Sequence, residues 1–227
     1  MQKPKSQNFS IVIVADGDFP THPIPLEKLR RADCVIACDG ATESLVANGF
    51  EPNFIVGDID SLSPDYQDTY KNIIVQVSEQ ESNDLSKAFR FALGLIKPSS
   101  LTTLDILALS GKREDHTIGN ISLLADYQKM ATEFSEPPVI KGYTDYGFFE
   151  PHYSLANHPI KIEGRKGCAV SIFAFDNSLT ITSEGLEYQT SGVVFDMWWK
   201  ATLNKVVEDA ALLHLNHTAS VLLYYPY

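Results

Sequence analysis

Over the first 135 positions, apolar residues recur in short runs separated by amphipathic stretches. The run 11–14 has the continuous apolar character of a buried strand and leads into a polar loop at Asp16 to Asp18. Residues 34–37 form a second run closed by Asp39-Gly40, and the pattern predicts a helix over 42–48 that Gly49 stops. A third strand, 54–56, runs straight into Gly57-Asp58-Ile59-Asp60-Ser61, and a fourth is expected at 73–77. From Ser82 or Asn83 onward, Leu85, Ala88, Phe89, Ala92, Leu93 and Ile96 fall three and four apart, one apolar stripe on a helix that Pro98 ends. Residues 104–109 are apolar again and break at Ser110-Gly111. Ile118, Ile121, Leu124 and Ala125 then return to helical spacing through about Lys129. Strand, loop and helix in repetition predict an α/β fold, a mostly parallel sheet with flanking helices.

Beyond Glu133 the texture changes. Pro137-Pro138 reads as a linker, and the segments after it are short and divided by turn residues: 139–141, 147–150, 161–163, 168–175, 179–182 and 220–224. The run 168–175 is rich in β-branched and aromatic residues and is followed by the turn pair Asp176-Asn177. The expectation is an α/β domain over residues 1–135 followed by a smaller all-β sandwich domain over 139–227.

Acidic residues gather where the predicted strands end. Asp16, Asp39, Asp58, Asp60 and Asp115 each follow an apolar run by a few positions, and Asp84 opens the strongest helix. Ligands of an open α/β sheet bind outside the carboxyl ends of its strands. Two carboxylates 4 Å apart repel by about 4 kcal/mol at an effective dielectric of 20, so a cluster on one edge calls for protonation or a divalent cation. Carboxylate oxygens suit Mg²⁺ held together with substrate phosphates. Asp58 and Asp60 form the best ligand pair, since alternate residues of an extended segment face the same way. In the stretch from Gly111 to His116, between a strand and a helix, backbone amides can receive phosphate. There Arg113 offers a guanidinium fork, and His116 offers an imidazole for acid or base work. The same stretch also reads as a polar connector with a surface histidine.

Apolar content of 44% and charged content of 21% are those of an ordinary globular protein. The net charge of −11 argues against nucleic acid as a partner. Cys34, Cys38 and Cys168 are too few and odd in number for a disulfide framework, and Cys34 and Cys38 read as buried apolar residues rather than metal ligands. No signal-peptide pattern and no apolar run near the ~20 residues of a membrane span is evident, so a cytoplasmic protein with no membrane partner is expected.

Four segments in order resemble the thiamin pyrophosphokinase family. Ala37-Cys38-Asp39-Gly40-Ala41 is similar to its early D-G-G/A turn, and Gly57-Asp58-Ile59-Asp60-Ser61 to its G-D-x-D-S motif. The segment from Glu79 to Ala88 resembles its acidic D-x-D-x-T-D-x-x-K-A stretch. Arg113-Glu114-Asp115-His116 with Asn120 and Ile121 resembles its R-x-D-H-x-x-x-N-I motif. The chain departs from these patterns at Glu79, Glu81, Asn83 and Lys112, the last standing where a second glycine is common. Leu203 stands where serine is expected in a stretch, Trp199 to Asn204, that loosely resembles the thiamin-contacting segment.

The resemblance implies an α/β ATP-binding domain, a C-terminal β-sandwich, and a homodimer with thiamin at the subunit boundary. The implied reaction is thiamin plus ATP giving thiamin diphosphate and AMP, dependent on Mg²⁺. Asp58, Asp60 and Asp84 are then catalytic and metal-binding. Asp39, Gly40, Lys87, Gly111, Arg113, Asp115, His116 and Asn120 shape the ATP and phosphate site, and Trp199, Thr202 and Asn204 the thiamin site. Two other readings stay open: a pyrophosphokinase for another alcohol such as a hydroxymethyl-pterin, and a non-catalytic thiamin or nucleotide sensor.

Overall fold

The computed structural model describes residues 8–97 and 100–227. Pro98, the expected helix breaker, and the first seven positions lie outside the described residues. Contacts divide the chain into two compact units, one comprising the described residues to Leu123 together with Glu133–Asp145, the other Leu124–Thr132 with Tyr146–Tyr227.

The first unit is α/β. Its strands are β1 (Asn8–Val14), β2 (Cys34–Cys38), β3 (Phe54–Gly57), β4 (Ile74–Gln76), β5 (Leu101–Leu107) and β6 (Val139–Thr144). All pair in parallel, in the order β6-β5-β1-β2-β3-β4. The apolar runs of the middle strands are buried: Ile11, Val12 and Ile13 of β1 and Ile36 and Ala37 of β2 are fully inaccessible. This is why those runs carry no polar alternation. From β1 the chain steps outward through β2, β3 and β4, then returns to add β5 on the opposite side of β1. The turns after β1 and β5 therefore diverge and open a crevice, the switch point of a doubly wound sheet.

Five helices connect the strands: α1 (Pro23–Arg30), α2 (Thr42–Ala47), α3 (Pro64–Tyr70), α4 (Asp84–Gly94) and α5 (Glu114–Ala131). The expected α2 is present, and Gly49 follows it with φ +81°, the left-handed conformation that glycine adopts freely. In α4 the Asn83 side chain caps the helix by accepting from Ser86 N at 3.0 Å. Its stripe of Leu85, Ala88, Phe89 and Ala92 is buried, and the helix closes at Leu95, short of Ile96. Two helices left no trace in the periodicity. α1 begins on a Pro-Ile-Pro segment, which reads as a turn although proline fits the first helical positions. α3 buries no residue, so it has no apolar stripe.

By texture the run beginning at Val139 belongs with the later strands, but as β6 it pairs in parallel with β5 (Thr103 beside Val139). A short β-branched run beside two prolines does not specify its neighbour. In the same unit a buried carboxylate, Asp105 on β5, meets Lys28 of α1 at 3.2 Å.

The second unit is antiparallel β. Its strands are β7 (Gly147–Ser154), β8 (Ile160–Glu163), β9 (Ala169–Ala174), β10 (Ile181–Glu184), β11 (Asn204–Lys205), β12 (Ala210–Leu215) and β13 (Ala219–Pro226). β11, β9, β13 and β7 form one sheet and β10, β12 and β8 another. Inward residues of both, among them Ile162, Ile172, Ile181, Leu213, Val221 and Leu223, share one core, the packing of a sandwich. Among the described residues, no helix is long and apolar enough to cross a membrane.

Phe89, fully buried on α4, tests the helix-to-sheet packing. Phe89→Ala is expected to cost about 3–5 kcal/mol, seen in urea unfolding as a lower midpoint with little change in slope.

Candidate active site

The acidic turn residues converge at the carboxyl ends of the parallel strands, in the crevice that the strand order opens. A pocket of about 280 Å³ is lined by Asp16 and Gly17 after β1, Asp39 and Gly40 after β2, and Ser61 after β3. Asn83 and Asp84 at the start of α4, Gly111, Lys112 and Arg113 after β5, and His116 and Asn120 of α5 complete the wall. An adjoining, more open hollow is lined by Asp58, Asp60, Gln67 and Gln76.

Asp39 lines the first of these spaces and is hydrogen-bonded to Ile59, which lines the second. Asp39 is 1% exposed. Its Oδ1 accepts from Gly40 N at 2.8 Å and its Oδ2 from Ile59 N at 3.0 Å. Aiming the Ile59 amide at Asp39 accompanies a φ of +73° at Ile59, an outlier for a β-branched residue. The segment from Asp58 to Asp60 is therefore not the extended strand end expected from sequence. A left-handed turn, not alternation, brings the two carboxylates together. Gly57 is required in this turn, because a Cβ there would stand 2.6 Å from the Asp39 carboxyl carbon.

Oxygens of Asp39, Asp58 and Asp60 lie within 4.8 Å of one another. Burial, and then the charge of Asp84, push the Asp39 pKa up, against the pull of its two amide partners. Asp58 is shifted the other way, down to about 2, first by the Gln80 amide (2.9 Å) and further by the Asp60 amide and Lys87. Lys87, 3% exposed, donates to Asp84 at 3.0 Å and to Asp58 at 3.4 Å. Burial works to lower its pKa, but these two carboxylates outweigh it and hold the ammonium charged. Asp84, one of the residues expected to bind metal, is thus held by Lys87 and is not among the three clustered carboxylates, whereas Asp39 is.

The phosphate segment divides in a similar way. Arg113, His116, Gly111 and Asn120 line the pocket. Asp115 is not among the lining residues; it takes Arg113 Nε at 3.1 Å and Nη2 at 2.6 Å in a fork. Asn120 donates to Leu109 O at 3.0 Å and accepts from Asn83 at 3.4 Å, bracing the end of β5 against the cap of α4. Sequence reasoning passed over Gln80, the partner of Asp58, and the pairing of Asp16 with Lys112 (2.6 Å). Gln80 stood inside the quoted acidic stretch, where its neighbours drew attention by charge alone.

In the second unit, Thr202 and Asn204 line a separate pocket of about 340 Å³ with Tyr188, Thr190, Val193 and Lys200. The Asn204 amide is committed: Oδ1 accepts from Tyr188 N (3.1 Å) and Lys205 N (2.8 Å), and Nδ2 donates to Tyr188 O (2.7 Å). The tryptophans sit on a short 3-10 turn, Trp198–Ala201, rather than a strand. Trp198 packs edge-on to Phe173 and Phe175. Trp199 is 68% exposed and does not line this pocket.

A preorganised carboxylate trio beside a pocket that carries an arginine, a lysine and the N-termini of two helices can hold a divalent cation and receive phosphate groups. Comparison with known proteins agrees with that chemistry. Residues 26–135 match the family model described as Thiamin pyrophosphokinase, catalytic domain, and residues 151–224 that described as Thiamin pyrophosphokinase, substrate-binding domain. Thiamine pyrophosphokinase 1 of Oryza sativa subsp. japonica is 35% identical over 81 residues, 33% of this chain and 31% of that protein. Thiamine pyrophosphokinase 3 of the same plant is 33% identical over 85 residues, 35% of this chain and 32% of that protein. The match thus spans about a third of the length of these curated relatives. Among solved structures, yeast thiamin pyrophosphokinase superposes with a TM-score of 0.74 at 17% identity, covering 98% of this chain and 87% of that one. The Bacillus subtilis enzyme gives 0.72 at 18%, covering 96% and 98%. At such identities the structural likeness speaks for the fold.

The low Asp58 pKa has a sign that can be tested. A carboxylate at about 2 when folded and about 3.9 when unfolded adds stability above pH 4 that is lost as pH falls toward 2. Asp58→Asn is expected to flatten that acid limb, so that urea midpoints of wild type and variant converge between pH 5 and pH 2.

Proposed function

The chain belongs to the thiamin pyrophosphokinase family, and on that premise we propose that it transfers the pyrophosphoryl group of ATP to the hydroxyl of thiamin, giving thiamin diphosphate and AMP. The observation that carries this reading is the Asp39, Asp58 and Asp60 trio, built on a strained turn beside a phosphate-sized pocket. Three carboxylates this close are costly without a counter-cation, and an all-oxygen donor set fits Mg²⁺. In this reading Asp58 and Asp60 hold the ion with Asp39, and Asp84 serves through its pairing with Lys87. When bound, Mg²⁺ neutralises phosphate charge and polarises the phosphorus under attack.

The residues of the chain do the positioning. Arg113, with its fork of donors, takes a phosphate in exchange for Asp115, and the N-terminal ends of α4 and α5 face phosphate oxygens. Lys87 fixes Asp58 and Asp84 at their stations. His116 and Asn120 close the wall on the nucleotide side. An Asp58 or Asp60 carboxylate within reach of the acceptor hydroxyl takes its proton as the oxygen attacks the β-phosphorus and AMP departs.

The second unit, with Thr202 and Asn204 beside a pocket and Trp199 exposed, is assigned to thiamin. Asn204 acts there as a brace for the loop at Tyr188, and Trp199 offers an aromatic face to the thiazolium cation, a contact of about 0.5–2 kcal/mol. A cytoplasmic homodimer completes the proposal. The exposed apolar side chains of Tyr188 and Leu203, which line one pocket, and of Val194, Met197 and Trp199 nearby in sequence support the dimer, since exposed apolar surface marks an interaction site where it is contiguous.

Purified protein with ATP, Mg²⁺ and thiamin is expected to yield AMP and thiamin diphosphate together, with both ceasing on addition of EDTA. ADP with thiamin monophosphate would refute pyrophosphoryl transfer. Turnover of a hydroxymethyl-pterin but not thiamin would reassign the acceptor, and thiamin binding without turnover would make the protein a sensor. Asp58→Asn is expected to lower kcat by about 10²-fold or more, the scale seen when one charge-stabilising group is removed, while thiamin still binds by calorimetry.

A further inference from the structure

Lys112 has an unusual backbone for its residue type. It follows Gly111 (φ +87°) with a φ of +58°, so the turn after β5 takes two successive left-handed residues, the second carrying a long side chain. Glycine tolerates this conformation without penalty and lysine does not. A strained non-glycine residue in a pocket wall points to a use for its side chain. That side chain reaches across the mouth of the crevice, its Nζ donating to Asp16 Oδ1 at 2.6 Å, and both residues line the pocket. Asp16 follows β1 and Lys112 follows β5, so the contact joins the two turns that diverge at the switch point.

The pair is half exposed on each side, 48% for Lys112 and 51% for Asp16. Such pairs contribute little to stability, so this one is cheaply exchanged. The neighbouring cation, Arg113, has a carboxylate partner of its own in Asp115, exchanged for phosphate in the same way, whereas Lys87 lies buried between Asp84 and Asp58 and stays there. A polyphosphate carries more charge than one carboxylate and offers more acceptor oxygens.

We propose that Lys112 is a nucleotide-positioning residue that holds Asp16 in the free protein and passes its ammonium to the polyphosphate of the bound nucleoside triphosphate. The inference rests on the assignment of this pocket to ATP. The exchange breaks one ion pair and forms another; no covalent bond changes. Asp16 is left facing the pocket with its charge uncompensated, so the lysine returns to it when the phosphates leave.

Calorimetry with MgATP and the full chain, without thiamin, tests this. Lys112→Gly removes the ammonium and relieves the backbone, so its thermal midpoint is expected to be no lower than that of wild type. Its MgATP dissociation constant is expected to rise about tenfold or somewhat more, the lower end for a charged hydrogen bond. Adenosine, which lacks phosphate, is expected to bind Lys112→Gly as it binds wild type, by ligand-observed NMR. Lys112→Arg should restore MgATP binding to within about twofold of wild type, as a retained cation on the phosphates requires. Asp16→Asn, which frees the lysine in advance, should bind MgATP at least as tightly as wild type. Lys112→Gly binding MgATP with wild-type affinity, or losing adenosine in equal measure, would overturn the inference and leave the proposed function standing. A wild-type protein that shows all these Lys112 effects but leaves thiamin unmodified supports the inference and removes the proposed acceptor.

Discussion

The Asp39 carboxylate, buried at the carboxyl end of β2, accepts backbone amides from two different turns, Gly40 beside it and Ile59 after β3. Most of the site geometry follows from that arrangement. Two N–H groups satisfy a buried carboxylate that would otherwise be costly to keep ionised. In turn the carboxylate holds Ile59 in a conformation that a β-branched residue does not adopt alone. With Ile59 fixed, Asp58 and Asp60 are carried toward Asp39, and the neighbouring glycine must lack a side chain to admit the contact. The folding energy of the parallel sheet thus sustains local strain, and the strain sets the spacing of three acids.

Around this centre the charges are arranged in opposition. Asp58 is kept ionised by Gln80, the Asp60 amide and Lys87, while Asp39 is pushed toward the neutral form by burial and by Asp84. Lys87, buried on the first turn of α4, spends its charge on Asp84 and Asp58 inside the site. Arg113 and Lys112 lie at the rim with carboxylate partners of their own. The free protein is therefore internally paired. Ligand charges enter by replacing partners rather than by meeting bare ones, which keeps a strongly acidic chain able to admit anionic groups.

The sequence reading located the crevice before it could describe it. Strand runs such as those of β1 and β2 are continuous because both faces are covered, and the acids that follow them could be assigned to one edge from topology alone. What periodicity could not convey was conformation inside the turns. Asp-Ile-Asp looks like a strand end, and no residue type in it announces a positive φ. Helices α1 and α3 escaped because one starts on prolines and the other buries nothing. β6 was visible as a strand, but its partner was not, since pairing depends on a residue register some 35 positions upstream (Thr103 beside Val139). In the second unit the twin tryptophans attracted attention by size, yet the 3-10 turn that carries them turns Trp199 to solvent.

The parallel register also governs when such a site can exist. Asn8 lies beside Leu101, so β1 at the centre of the sheet has no neighbour on one side until β5 has been synthesised. The acids after β1, β2 and β3 are all made long before the turn that carries Gly111 and Lys112. A growing chain therefore displays a set of mutually repelling carboxylates with the opposite wall of the crevice missing. Closing that gap requires contacts distant in sequence, which slows folding, and during the interval an edge of β1 stays open to pairing with other chains. The order in which the ribosome delivers these segments thus leaves one edge of β1 uncovered until the last wall of the crevice is made.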